Sequence, residues 1–215
     1  MTSLEAITPK MRGVSHKYAF FISLFIGVYL INSAVTDRGR TAMIIYAMSL
    51  SGLLLSSSIY HMHKWKTLRM RWWARRIDHC MIFVLIAGTA TPFAMLVVDG
   101  ARGEQMLWFF WGSAGIGSAL KLVFIRVPDK VHATGFVLIS WAAITQFPAL
   151  KDQLSASSLA LLVLGGILHT VGAVIYATRK PDPLPDVFGY HEVFHLFMLA
   201  GAGAHTIVIA GLLGA

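Results

Sequence analysis

The stretch GYHEVFHLF, Gly189 to Phe197, places two histidines four residues apart with a glutamate between them. On a helix, residues four apart lie on one face with their Cβ atoms about 5–6 Å apart, which is close enough for two imidazoles to bind one metal ion. The same pattern, H-E-x-x-H, occurs in zinc metalloproteases, where the glutamate is the general base. His191 and His195 are therefore a candidate metal-binding pair, and Glu192 is a candidate base.

Two other segments carry residues that could complete such a site. SSSIYH contains Ser57 and His61 at the same four-residue spacing, so the hydroxyl lies one turn from the histidine on the same face. RRIDHC contains Asp78. Three neutral imidazoles leave the fourth position of a tetrahedral zinc ion open, as in sites that activate water. Asp78 could ligate the metal, or accept a hydrogen bond from the water or from a ligand's second ring nitrogen.

The composition indicates which elements position these residues. The chain of 215 residues is 56% hydrophobic and only 13% charged, with a mean hydropathy of +0.67, which is too apolar for a soluble domain. A helix crosses the ~30 Å hydrocarbon core of a bilayer with about 17–25 apolar residues. We therefore predict an all-α integral membrane protein, in which residues 1–215 form a single seven-transmembrane helix bundle with spans near residues 18–35, 42–61, 77–98, 106–125, 131–147, 157–178 and 191–213.

The distribution of Lys and Arg predicts the orientation of the bundle. If the N-terminus is cytoplasmic, 14 of the 18 Lys and Arg residues fall on the inner side of the membrane, as the positive-inside rule requires. We therefore predict a cytoplasmic N-terminus, an outside C-terminus and a location in the cell (inner or plasma) membrane. The net charge of +8 then belongs to loops such as KWKTLRMRWWARR that face lipid headgroups, and membrane lipids rather than nucleic acid are the expected partners.

This topology brings the candidate residues to one depth. His61 ends the second span, Asp78 opens the third, and His191 and His195 open the seventh, all on the cytoplasmic side. Ionisable groups at membrane depth are costly and need a partner or a function. We therefore predict one metal site near the cytoplasmic face, held by His61, His191 and His195. Three imidazoles favour Zn2+ over other divalent ions.

The remaining histidines and the single cysteine have simpler interpretations. We interpret His16, His63 and His79 as interfacial residues beside charged loops, and His132 as a loop residue. The mid-span histidines His169 and His205 are expected to hydrogen-bond between helices, and Cys80 is expected to be a packed small residue.

These segments also resemble a known family. SSSIYH looks like the Ser-x-x-x-His of the hemolysin III proteins and their eukaryotic relatives, the progestin and adipoQ receptors (PAQR). RRIDHCMIFVLIAGTATPF resembles their Asp-containing third helix, and HEVFHLFMLAGAGAH resembles their His-x-x-x-His seventh helix. The resemblance covers nearly the whole chain. It implies a seven-helix fold with a cytoplasmic N-terminus, and distant kinship to alkaline ceramidases, which are thought to cleave lipid amides.

The resemblance also implies roles for particular residues. His61, His191 and His195 would hold zinc, Asp78 would lie beside the metal's water, and Ser57 would support the site. Two departures from the family pattern matter. The segment MRGVSHKYAF offers only Ser15 and His16 where many bacterial members carry an acidic, Asn-rich lead-in ending in Thr-His, and Phe194 stands where many relatives have Trp. The family label refers to cytolysis, which does not by itself assign lysis to this chain.

Several functions remain open at this stage. The first is a zinc-dependent hydrolase of a lipid amide or ester, with Asp78 as base or water-orienting group and Ser57 as hydrogen-bond donor. The second is a non-catalytic, receptor-like regulator of membrane lipid state or energetics with structural zinc. An intramembrane protease using Glu192 and a pore-forming protein are less favoured alternatives. The sequence does not predict an oligomeric state.

Overall fold

The computed structural model describes residues 9–98, 100–123 and 129–214, apart from the side chains of residues 129, 130, 132 and 214. These ranges are helical except for turns and one isolated bridge, Leu184 to Phe188. A 3₁₀ segment, Ala142–Gln146, joins the fifth and sixth helices, and a second one follows the eighth. The helices are α1 (Val14–Ser33), α2 (Asp37–Met62), α3 (Leu68–Leu96), α4 (Gly100–Val123), α5 (Asp129–Trp141), α6 (Phe147–Gln153), α7 (Ala156–Thr178) and α8 (Tyr190–Gly211).

The described residues contain seven helical segments that are long and apolar enough to cross a membrane. Six of them are single helices. The fifth, Ala133–Gln153, combines most of α5, the 3₁₀ segment and α6. The prediction of an all-α seven-span membrane protein is therefore confirmed, although residues 124 and 125 of the predicted fourth span lie outside the described residues.

Helix ends differ from the predicted spans where charged residues continue a helix. The third span was expected from residue 77, but α3 begins at Leu68 and includes the four arginines of the preceding basic segment. Thr67 caps α3 by accepting a hydrogen bond from Met70 N at 3.2 Å, and Thr36 caps α2 by accepting one from Gly39 N at 3.0 Å. These side chains satisfy amide groups that a helix start leaves unpaired. A charge-free run therefore marks the apolar part of a helix but not its ends.

Two helices form the centre of the bundle. In their most apolar windows, α2 buries 56% and α3 61% of its residues, far more than the other spans. Helices α1 to α4 pack against one another in chain order, α7 packs on α8, and α8 contacts α1 and α3. The beginning of α8 also meets the end of α2, where the His61 ring contacts that of His191.

Two histidines hold α7 against α8 in a reciprocal arrangement. His205 Nε2 donates a hydrogen bond to Leu162 O at 3.2 Å, and the Met198 backbone is the corresponding partner of His169. Each ring lies over a glycine of the other helix: a Cβ on Gly201 would lie 2.7 Å from His169 Nε2, and one on Gly165 would overlap the His205 ring. The expected hydrogen bonding between these helices is confirmed.

The predicted orientation can be tested with the two loops at opposite ends of α2. Cys80 is the single cysteine, so a Cys80→Ala background removes the native thiol. Asp37 and Lys66 are exposed at the two ends. In right-side-out vesicles, a membrane-impermeant maleimide should label Asp37→Cys and spare Lys66→Cys until the membrane is permeabilised. The opposite labelling pattern would reverse the orientation.

Candidate metal centre

His61 is placed by the way α2 ends. The helix stops at Met62, and the Trp65 indole N–H folds back to donate to Tyr60 O at 3.0 Å. Ser57 lies one turn before His61 and is buried. The end of α2 therefore presents an imidazole and a hydroxyl on one face, as the four-residue spacing predicts.

The first turn of α8 fixes the positions of the other two histidines. Glu192 Oε2 accepts a hydrogen bond from Gly189 N at 2.8 Å, and Asp182 Oδ1 accepts one from Tyr190 N at 2.8 Å. Both bonds satisfy amides that the start of a helix leaves unpaired. The helix consequently begins at Tyr190, and its first two turns carry His191 and His195.

The segment before α1 pairs with the loop before α8. Lys10 N donates to Asp186 O at 3.1 Å, and Met11 N donates to Val187 O at 3.0 Å. Gly13 then turns the chain with a φ of 78°, in close contact with α2, where an added Cβ would lie 2.8 Å from His61 Cβ. A positive φ favours glycine, and the close contact excludes larger residues. The turn starts α1 beside the histidine cluster.

The structure brings His61, His191 and His195 together. One potential ligand atom from each residue lies within 4.8 Å of the other two. His61 Nε2 and His191 Nε2 are 3.2 Å apart, and the ring centroids of His191 and His195 are 4.6 Å apart. Two nitrogens bound to tetrahedral zinc with bonds of about 2.0–2.1 Å are about 3.3 Å apart. The geometry therefore fits the ligand set predicted from the sequence.

The hydrogen bonding of His195 supports the same interpretation. Its side chain is 2% exposed, and its Nδ1 has no hydrogen-bond partner among the described residues. The distance between His61 and His191 also fits a hydrogen bond between two neutral imidazoles. Such a bond would not provide a partner for the buried Nδ1 of His195. A buried ring nitrogen without a protein partner calls for an ion or a water molecule. The residues present therefore fit a metal ion.

Asp78 and Ser57 lie beside this cluster. Asp78 is buried and places Oδ2 3.6 Å from His79 Nδ1. Ser57 Oγ is hydrogen-bonded to His16 Nδ1 at 2.8 Å. Asp78, Ser57, His191 and His195 all line one cavity. The two residues predicted to be catalytic thus share a cavity with two of the candidate metal ligands, and their roles remain predictions.

This cavity extends from the histidine cluster deep into the bundle. Its volume is about 620 Å³. It also reaches His169 and His205, and His205 lies about 15 Å along α8 from His195 at 1.5 Å per residue. Between these ends most of its lining is apolar and comes from α3, α5, α7 and α8, including Ile82, Phe136, Leu162 and Met198. The space is long and mostly apolar, with an ionisable carboxyl group, Asp78, and several histidines at the cluster end and His169 and His205 further in.

Glu192 does not occupy the position of a general base. The carboxylate is buried, with only 2% of the side-chain surface exposed. Its Oε1 pairs with Arg12, and its Oε2 accepts the hydrogen bond from Gly189 N. Both oxygens therefore bind groups that hold the N-terminal segment and the start of α8. The sequence matches the H-E-x-x-H motif, but the contacts of its glutamate are structural.

Sequence reasoning missed one residue at the centre. The interpretation of His16 as interfacial is wrong, because this residue is 4% exposed and stacks on His195. His79 is buried as well, with Nδ1 donating to Arg75 O at 2.8 Å. The one available signal for His16 was its alignment with the Thr-His lead-in of the resembled family.

Cys80 is a packed residue as expected, and the side chain of His132 lies outside the described residues.

The fold and the site define the class of protein. Seven apolar spans make the chain a multi-pass membrane protein, and the histidine cluster gives it a candidate metal centre between α2 and α8. Comparison with known proteins then identifies the family. The family model described as Haemolysin-III related matches residues 4–206. The chain belongs to this family.

Individual relatives agree with this assignment. The chain is 33% identical to "Hemolysin-3" of Bacillus cereus over 78% of its own length and 73% of the relative's. It is 31% identical to the "Hemolysin-3 homolog" of Bacillus subtilis (strain 168) over 89% and 87% of the two chains. It is also 25% identical to the "Adiponectin receptor protein" of Drosophila melanogaster, over 84% of this chain and 46% of that one. The resemblance to hemolysin III and the PAQR superfamily is therefore confirmed.

Metal content tests the predicted ligand set. Purified protein should contain about one zinc per chain, and His61→Ala and His191→Ala should each lose most of it, because two remaining imidazoles bind a metal far more weakly than three. His63→Ala is the matched control, since His63 is exposed and its ring lies against Trp65 outside the cluster. Elemental analysis and chelator competition give both stoichiometry and affinity. A metal-free wild type, or loss of metal in His63→Ala, would contradict the assignment.

The structural role of Glu192 gives a second prediction. Glu192→Gln should retain the metal but lose about 1.5–3 kcal/mol of stability, the range for hydrogen bonds to charged groups. Arg12→Gln should reduce the free energy of unfolding by a similar amount, which is measured as a lower Tm in detergent. The double variant should be little less stable than either single variant, because both substitutions break the same pair. Loss of metal from Glu192→Gln at unchanged Tm would place the glutamate at the metal instead.

Proposed function

We propose that this protein is a metal-dependent hydrolase of a lipid amide or ester, with zinc bound by His61, His191 and His195. The observation that carries the proposal is the position of the histidine cluster at the polar end of a deep apolar cavity. Such a cavity suits an amphiphile whose chain occupies the apolar length and whose polar group lies at the cluster. A zinc ion bound by these histidines would supply Lewis acidity and would activate water near neutral pH.

The protein's own side chains supply the remaining functions of a hydrolytic site. Asp78 is buried on the cavity wall, where its carboxylate can orient a water molecule and accept its proton. Ser57 presents a hydroxyl on the same wall and can donate a hydrogen bond to the oxygen on which charge develops. The apolar lining limits the access of bulk water, which strengthens these interactions.

Several features support entry of the substrate from the lipid rather than from water. The N-terminal segment and the loop before α8 are hydrogen-bonded to each other at the cluster end of the bundle. The far wall of the cavity includes exposed apolar side chains of α6, α7 and the 3₁₀ segment, among them Ile144, Phe147 and Val163. A molecule that approaches along this side meets apolar surface before it reaches the polar residues.

A non-catalytic role for the metal is the second candidate, and one observation favours it. His61 belongs to α2, whereas His191 and His195 belong to α8, and their rings are in contact. A metal ion bound by all three would link two helices that are far apart in the sequence. The protein would then be a regulator of membrane lipid state or energetics whose metal stabilises the bundle.

Substitution of Asp78 separates these two candidates. Asp78→Asn should retain zinc and Tm but reduce the release of fatty acid from a panel of amide and ester lipids by about 10²–10⁴-fold, the usual contribution of a general base. Cys80→Ala is the matched control, because Cys80 is two residues away, is buried and faces Ser118 O. Its activity should equal that of the wild type.

Other outcomes would favour the second candidate. If zinc-loaded wild type releases no fatty acid from any lipid of the panel, the hydrolase proposal fails. If removal of zinc also lowers Tm sharply, the metal stabilises the bundle instead. Equal activity of Asp78→Asn and wild type would exclude Asp78 as the base while leaving the metal centre intact.

A further inference from the structure

His16 is a fourth histidine at the metal centre. It lies in the first turn of α1, the side chain is 4% exposed, and it lines the same cavity as Ser57 and His195. The group of potential metal ligands comprises three other histidines and excludes it. Any effect of His16 on the metal centre would therefore act through neighbouring side chains or through a bound molecule.

One contact of His16 is with a candidate metal ligand. The rings of His16 and His195 are stacked, with centroids 3.8 Å apart and planes inclined by only 10°. The other ring contacts of His195 within the cluster are strongly inclined, at 62° to His61 and 67° to His191. A parallel stack restricts rotation of the His195 imidazole about its bond to Cβ. This rotation determines where the ligand nitrogen points.

The second contact of His16 is with Ser57. His16 Nδ1 and Ser57 Oγ are 2.8 Å apart and hydrogen-bonded. The other ring nitrogen, Nε2, is buried without a hydrogen-bond partner among the described residues. A phenyl ring would fill the same space without an unpaired nitrogen. What the imidazole adds to a phenyl ring is the hydrogen bond of its Nδ1 with the buried Ser57 hydroxyl.

We propose that His16 is a positioning residue of the metal centre, which orients the His195 ring by stacking and the Ser57 hydroxyl by hydrogen bonding. The inference rests on the metal centre of the proposed function but not on hydrolysis. It makes α1 a functional part of the site, in addition to α2, α3 and α8. It also explains the importance of the turn at Gly13, because this turn starts α1 at the place where His16 contacts both His195 and Ser57.

Two substitutions separate the two contacts. His16→Phe keeps an aromatic ring over His195 but removes the hydrogen bond to Ser57. His16→Asn removes the ring while keeping a polar side chain that can reach the hydroxyl. If stacking positions His195, His16→Asn should weaken zinc binding by roughly 2- to 12-fold, the factor that corresponds to aromatic pair energies. His16→Phe should bind zinc within about 2-fold of the wild type.

The measurements are zinc affinity by chelator competition and the visible absorption spectrum of the Co2+-substituted protein, which reports ligand geometry directly. His16→Asn should alter the spectrum, whereas His16→Phe should preserve it. His169→Phe is the matched control, because His169 is a partly buried histidine that contacts His205 and Gly201 rather than the cluster. It should lower Tm and leave both metal readouts unchanged.

The contact with Ser57 is tested by a double-mutant cycle. His16→Phe and Ser57→Ala each remove the same hydrogen bond, so the Tm of the double variant should be no lower than that of the less stable single variant. Fully additive losses would show that the two residues are not coupled and would overturn the assignment to Ser57.

The outcomes distinguish this inference from the proposed function. Zinc affinity and a Co2+ spectrum of His16→Asn that equal those of the wild type would overturn the positioning role. An equal loss of affinity in His16→Phe and His16→Asn would also overturn it, because stacking would then not be the cause. A wild type that binds no zinc overturns the metal centre itself, whereas absent lipid hydrolysis with intact metal binding leaves this inference standing.

Discussion

The arrangement of the site follows from one constraint, which is that polar groups inside an apolar bundle must be satisfied within the bundle. Five buried or partly buried side chains from four helices meet at one end: His16, His61, Asp78, His191 and His195. Lipid cannot solvate these groups, so they must contact one another, the backbone or a bound ion. The helices that carry them are therefore required to meet at this end.

The first turn of α8 converts that requirement into a defined geometry. A carboxylate at Glu192 caps the helix and binds Arg12 at the same time. The N-terminal segment is thereby tied to α8, and its turn at Gly13 lies against His61 on α2. The glutamate of the H-E-x-x-H pattern consequently contributes by fixing the ends of three helices around the cluster, while a different carboxylate, Asp78, faces the cavity.

The spans and most of the candidate site could be predicted from the sequence, because two sequence features are especially informative in membrane proteins. Long apolar runs predict the spans, and the rarity of ionisable groups at membrane depth directs attention to His61, Asp78, His191 and His195. The burial of His16 could not be predicted in this way. It depends on where the N-terminal segment lies, which is determined by backbone hydrogen bonds to residues 186 and 187, and such bonds leave no side-chain pattern. The basic start of α3 was missed because arginine is compatible with a helix outside the hydrocarbon core.

The way the cluster is held bears on what a metal would do there. The caps of α8, the Arg12 to Glu192 pair and the Gly13 turn hold the helix ends, and none of these contacts uses a metal-ligand atom of the histidines. The imidazoles therefore require little rearrangement to bind an ion. Where a site is assembled by its metal, as in zinc fingers, most of the binding energy is used for folding. At a site that the protein already holds in place, less of the binding energy of a metal would be used for folding.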